Sequence, residues 1–118
     1  MHISIYHNPK CSKSRETLKL LRDKGIEPEI INYLSAPPTV KELSNILTKL
    51  GIEARNLVRF KEAVANKLGI SPSDKRSEEE WVKLMIENPI LIERPIVIAS
   101  DRAVIGRPPE NVLKLINQ

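Results

Sequence analysis

Apolar positions change their period several times along this chain, and each change marks an element. From His2 to Tyr6 apolar and polar residues alternate, with Ile3 and Ile5 on one side, which is the period of a short strand. Asn8-Pro9 then marks a turn. From Ser12 to Lys24 the spacing becomes helical, with Leu18, Leu20 and Leu21 inward and Gly25 as the stop. Glu29 to Tyr33 reads as a second strand. A strand-helix-strand unit this compact predicts parallel strands joined by a right-handed crossover.

The middle of the chain is helical in pattern. Thr39 and Glu42 form a capping box ahead of Val40, Leu43, Ile46, Leu47 and Leu50, and Gly51 ends the run. Leu57 to Leu68 predicts a further helix closed by Gly69. Ser77 and Glu80 repeat the capping box before Trp81, Leu84 and Met85, and Asn88-Pro89 stops that helix. Ile96-Val97-Ile98 is an unbroken apolar run, as in a buried central strand. Asp101-Arg102 turns the chain into another strand around Val104 and Ile105. Pro108-Pro109 opens a last helix with Val112, Leu113 and Ile116 on its core face. The order βαβ, helical block, ββα predicts an α/β fold: a thioredoxin/glutaredoxin-like mixed sheet with a helical insertion between its two halves. No repeat or linker divides the 118 residues, so 1–118 is expected to form one domain.

Aromatic residues make up only 3% of the chain, so Leu, Ile and Val must fill the core. No apolar stretch approaches the roughly 20 residues of a membrane helix. The N-terminus has no basic region followed by an apolar run, and a cytoplasmic location is expected. The net charge of +4 invites an anionic partner. The basic residues are scattered, without a dense tract or interleaved aromatics, which argues for a solvated surface and against nucleic acid. A single cysteine excludes an internal disulfide, and with only two histidines it makes a zinc site a poor expectation. Any thiol that resolves Cys11 must come from another molecule.

Cys11 falls between a strand and the start of a helix, where unpaired amides and the helix dipole favour a thiolate and also bind oxyanions. Lys10, Lys13 and Arg15 add positive potential wherever they face the thiol, and the polar surroundings Lys10, Ser12, Lys13 and Ser14 argue against burial as a small hydrophobe. Ser14 occupies the position of the second cysteine of a Cys-x-x-Cys pair; it can donate a hydrogen bond to sulfur but cannot form a disulfide.

The run Tyr6-His7-Asn8-Pro9-Lys10-Cys11-Ser12-Lys13-Ser14-Arg15 resembles the active-site loop of the glutathione- and glutaredoxin-dependent arsenate reductases of the ArsC family. Further matches come in family order: Tyr33-Leu34 before Pro37-Pro38, Arg59 after Asn56-Leu57-Val58, Asn88-Pro89, Glu93-Arg94-Pro95-Ile96 and Gly106-Arg107-Pro108. The chain stops soon after Ile116, as in the short-chain branch. The resemblance implies that Cys11 attacks arsenate to form a thioarsenate adduct, and that Arg59, Arg94 and Arg107 hold the oxyanion. Glutathione then acts as thiol co-substrate and glutaredoxin as partner, with no tightly bound cofactor and no metal. Guanidinium groups suit this task because they stay charged and bind tetrahedral oxyanions bidentately. The same resemblance makes His7 a supporting residue, whose imidazolium would favour the thiolate. It also places a cis proline at Pro95, before the buried strand. A monomer is expected.

Two other functions compete. Spx-like redox regulators that bind RNA polymerase share the fold and the Arg94-Pro95 segment. Their switch is commonly Cys-x-x-Cys, which Ser14 removes, and they lack the Tyr-His-Asn-Pro approach to the cysteine. A monothiol oxidoreductase acting on glutathione mixed disulfides would need Cys11 but not the three arginines.

Overall fold

The alternating N-terminal segment and the apolar run near the C-terminus meet in one four-stranded sheet. The computed structural model describes residues 2–116. Strands β1 (Ile3–Tyr6), β2 (Glu29–Ile31), β3 (Ile96–Ala99) and β4 (Arg102–Ile105) lie in the order β2-β1-β3-β4. β1 and β2 are parallel and joined by helix α1 (Ser12–Asp23), while β3 is antiparallel to both β1 and β4. The thioredoxin-like mixed sheet expected from the pattern is therefore present. Its register brings three strand ends together. Tyr6 pairs with Ile96 and Ile96 with Ile105, so the end of β1, the start of β3 and the end of β4 share one edge of the sheet.

The residues up to Ala36 and those from Arg94 onward form one compact unit, and Pro37–Glu93 forms another. In the sheet unit the two-residue period puts Ile3 and Ile5 on one face, paired with Ala99 and Val97. Leu18 and Leu21 of α1 pack on that face with Val112 and Leu115 near the C-terminus. The unit departs from the pattern in three places. β2 ends at Ile31, and Tyr33 beyond it is buried with its ring stacked at 6.1 Å from that of Tyr6. The β3–β4 turn is Ser100-Asp101 rather than Asp101-Arg102, because Ala99 pairs with Arg102 and Ser100 takes a positive φ of 56°. The last helix begins as a 3-10 turn over Pro109–Val112 before α5 (Leu113–Ile116). The tighter turn shifts the phase, so Val112 and Leu115 are buried while Leu113 is only half-buried.

The inserted unit holds α2 (Val40–Leu50), a 3-10 turn at Ala54–Leu57, α3 (Ala63–Leu68) and α4 (Glu78–Glu87). Both capping boxes form: the Thr39 and Ser77 hydroxyls accept from the Glu42 and Glu80 amides, and each Glu side chain accepts from the cap amide in return. The helix expected from Leu57 starts only at Ala63. Val58 is extended and bridges Ile92; Arg59 N donates to Leu91 O at 2.7 Å and Glu93 N to Leu57 O at 2.9 Å. These pairings take the Leu57 carbonyl that a helix would need, and they bury Leu57 and Val58, adjacent in sequence, together.

Leu21 is fully buried and Leu20 half-buried on the same helix. Leu21→Ala should therefore cost roughly 2–5 kcal/mol, the range for large core truncations. Leu20→Ala should cost clearly less. Urea denaturation of both variants checks the ordering, and equal losses would contradict the assignment of the core face.

Candidate active site at Cys11

The shared edge of β1, β3 and β4 carries three segments that converge on Cys11. After β1, the Asn8 carbonyl accepts from the Cys11 amide at 3.0 Å and the Asn8 side chain accepts from the Lys10 amide at 3.0 Å. This turn sets Cys11 as the N-cap residue of α1. Before β3 come Arg94 and Pro95, joined by a cis peptide bond as expected. After β4 come Gly106 and Arg107, and the Arg107–Pro108 bond is also cis, which no sequence motif signals.

Arg107 spans the site. Its Nε donates to the Arg94 carbonyl at 2.7 Å and its Nη2 to Cys11 Sγ at 3.4 Å. Cys11 is only 7% exposed, more covered than its polar neighbours in sequence suggest. Burial by itself pushes the thiol up. The backbone amides of Ser14 and Lys13 and the guanidinium groups of Arg94 and Arg107 outweigh it, and the thiol is held below its ordinary value. The expectation for the lysines needs correction here. Lys13 acts through its backbone amide, while its ammonium lies 3.5 Å from Glu16. The cationic field comes from arginines distant in sequence.

Two supporting residues also take roles other than those expected. The Ser14 hydroxyl is not turned to sulfur: it bonds His7 Nδ1 at 2.6 Å and accepts from the Asn8 amide at 3.0 Å. His7 is buried, and burial together with Arg22 and Arg15 lowers its pKa below the ordinary value. At neutral pH it is therefore an uncharged imidazole and not the imidazolium expected from the resemblance. The His7–Ser14 pair braces the loop from behind.

Thr17 joins the site without any sequence motif that marks it, and Gly106 joins it although the motif Gly106-Arg107-Pro108 points only to the arginine. Thr17 is fully buried on α1, and its hydroxyl donates to the Lys13 carbonyl at 2.7 Å and lies 3.4 Å from the Gly106 carbonyl. A Cβ on Gly106 would fall 2.6 Å from Thr17 Oγ1 and 2.9 Å from Pro95 Cγ. Glycine is thus required where α1, Pro95 and the Arg107 segment meet. The one signal available in the sequence is the place of Gly106 immediately before Arg107-Pro108.

Arg59 belongs to the other unit. There its Nη1 lies 2.7 Å from Glu62 Oε1 and donates to the Ile90 carbonyl at 3.2 Å, with Glu93 at 4.0 Å from its Nε. Among the described residues no cluster of His, Cys, Asp and Glu could hold a metal ion, and no helix is long and apolar enough to cross a membrane.

A model of the ArsC family matches residues 6–115. The chain belongs to that family. It is 50% identical over 117 residues to an arsenate reductase of Haemophilus influenzae, covering 98% of this chain and 100% of the relative. To an arsenate reductase of Escherichia coli K12 it is 41% identical over 115 residues, covering 98% of this chain and 81% of the longer relative. The fold superposes on an arsenate reductase from Vibrio cholerae with a TM-score of 0.91 at 47% identity, covering 97% of each chain. As a member of the ArsC family, the chain keeps a single thiol at the point where the three segments meet.

The geometry makes Cys11 an acidic thiol. Its alkylation by iodoacetamide should rise with pH to a midpoint below the free-thiol value of about 8.5. The effect on stability has a definite sign: a thiolate favoured by the fold stabilises it fully above the unfolded value, and that contribution is lost as pH falls through the folded one. The denaturation midpoint of wild type relative to Cys11→Ser should therefore fall as pH is lowered across that window. A flat difference, or an alkylation midpoint at or above the free-thiol value, would contradict the electrostatic account.

Proposed function

We propose that this chain is an arsenate reductase that works through the Cys11 thiolate, as a cytoplasmic monomer, with glutathione as thiol co-substrate and glutaredoxin as partner. The observation that carries the reading is the Arg107 guanidinium at 3.4 Å from Cys11 Sγ, with Arg94 adding to the same field. The nucleophile and two forked cations meet at one point, which suits an anionic tetrahedral electrophile better than a neutral one. Relatives named arsenate reductase support the choice of anion.

In this reading the Cys11 sulfur attacks arsenic, and one arsenate oxygen takes up protons and leaves as water. Arsenic keeps its oxidation state in the resulting thioarsenate. A glutathione thiolate then attacks Sγ. The electron pair of the sulfur–arsenic bond goes to arsenic, which departs as arsenite, and Cys11 is left in a mixed disulfide with glutathione. A glutaredoxin thiolate removes the glutathione and returns Cys11 as thiolate. Two thiols are oxidised and one arsenic gains two electrons. Arg94 and Arg107 would bind arsenate and offset the charge that accumulates on its oxygens. His7 and Ser14 act by fixing the loop, and Pro95 by accepting from the Gly106 amide and packing against Gly106. The part that the resemblance assigns to Arg59 remains an expectation and carries none of this reading.

Arg94→Lys and Arg107→Lys separate substrate binding from nucleophile activation. Lysine keeps the charge and loses the planar fork. Each lost charge-assisted hydrogen bond is worth roughly 1.5–3 kcal/mol, or one to two orders of magnitude in turnover efficiency with arsenate. Iodoacetamide needs no oxyanion clamp, so its rate should change only with the thiolate fraction. Equal losses in both reactions would assign the arginines to tuning Cys11. No loss in either would favour a monothiol oxidoreductase.

A further inference from the structure

We propose that Asn111 is a positioning residue that sets where the Arg107 guanidinium stands relative to the Cys11 sulfur. Asn111 lies in the 3-10 turn after β4, outside every motif named above, and touches neither Cys11 nor the arginine head group among its bonds. Its carboxamide Nδ2 donates to the Arg107 carbonyl at 3.0 Å and to the Ile105 carbonyl at 3.2 Å. Both partners are carbonyl oxygens, so the nitrogen end of the amide must face them, and both of its protons are used.

The local chain explains why a side chain is needed here. Arg107 comes after a tight reversal at Gly106, in which the Arg107 amide donates back to the Ile105 carbonyl at 2.9 Å and the Gly106 amide donates to the Pro95 carbonyl at 2.9 Å. The next two residues are Pro108 and Pro109, which have no N–H to offer. The carbonyls on either side of Gly106 therefore take their further donors from Asn111. Asn111 is itself anchored: its backbone amide donates to the Pro108 carbonyl at 3.0 Å, and the neighbouring Val112 is fully buried in the core of the sheet unit.

With both carbonyls held, the direction in which Arg107 leaves the backbone is fixed. From there its Nε meets the Arg94 carbonyl and its Nη2 meets Sγ. Without Asn111 the reversal keeps its backbone bonds but loses the brace from the C-terminal side, and the guanidinium is free to move off the sulfur. The inference rests on Cys11 being the reactive group of the proposed function, but its consequence is visible in the thiol alone.

The test is a double-mutant cycle read by the pH dependence of Cys11 alkylation, with circular dichroism confirming the fold of each variant. Wild type, Asn111→Ala, Arg107→Ala and the double variant are compared. Asn111→Ala should raise the alkylation midpoint in the same direction as Arg107→Ala, slowing the reaction at pH 7 by roughly two- to tenfold through the thiolate fraction. In the Arg107→Ala background it should add nothing, because the group that it positions is gone. Should Asn111→Ala not fold, Asn111→Ser keeps one short donor and should give a smaller shift of the same sign, again only when Arg107 is present. Three results would overturn the proposal: an unchanged midpoint in a folded Asn111 variant, an equal shift in both backgrounds, or an unchanged midpoint in Arg107→Ala. A general loss of packing would lower stability in both backgrounds without this dependence on Arg107. Failure of wild type to reduce arsenate would leave the thiol readout intact, so the two ideas fail separately.

Discussion

The antiparallel pairing of β1 with β3 is the constraint on which the site depends. It joins segments some ninety residues apart in sequence, and its register, Tyr6 opposite Ile96, is what puts the Cys11 loop beside Arg94 and Pro95. The pairing of Ile96 with Ile105 then brings Arg107 to the same edge. A slip of one residue would put Ile3 and Ile5 on the opposite face from Val97 and Ala99, so their shared burial fixes the register. Core packing and active-site assembly are in this sense one constraint. The apolar face chooses the register, and the register delivers the cations to the thiol.

The electrostatics of Cys11 show two opposing effects resolved by geometry. Covering a thiol disfavours its charged form, and Cys11 is covered. The fold offsets this with amides at the start of α1 and with the guanidinium groups of Arg94 and Arg107. Arg107 donates from Nε to the Arg94 carbonyl and from Nη2 to sulfur, which aims its charge at the thiol. His7, the obvious candidate for a helping charge, is neutralised by the same burial that makes it a good brace for Ser14.

Much of this is legible in the chain. The alternation of Ile3 and Ile5, the run Ile96-Val97-Ile98 and the two capping boxes foretell elements that form. Where the pattern misleads, the cause is non-local. Leu57 and Val58 look helical by spacing, but the extended pairing of Val58 with Ile92 decides their conformation. Tyr33 reads as strand, yet its place is fixed by stacking on Tyr6. At the site, Cys11, Arg94, Arg107 and Pro95 are legible through motif. The source of the field is not: neighbouring lysines are the nearest cations in sequence, and only strand pairing brings Arg94 and Arg107 to act on the thiol. Thr17, Gly106 and Asn111 act through contacts with backbone, which leave no periodic trace in a sequence.

In the proposed function Cys11, held by this constellation, is the nucleophile toward an oxyanion. The direct measurement is arsenite release from arsenate by the purified chain with glutathione and glutaredoxin, wild type against Cys11→Ser. Wild type should form arsenite only with both thiol components present, and Cys11→Ser should form none above background. Turnover by Cys11→Ser at the wild-type rate, or no arsenite from a folded wild-type protein whose Cys11 alkylates readily, would contradict that role for Cys11.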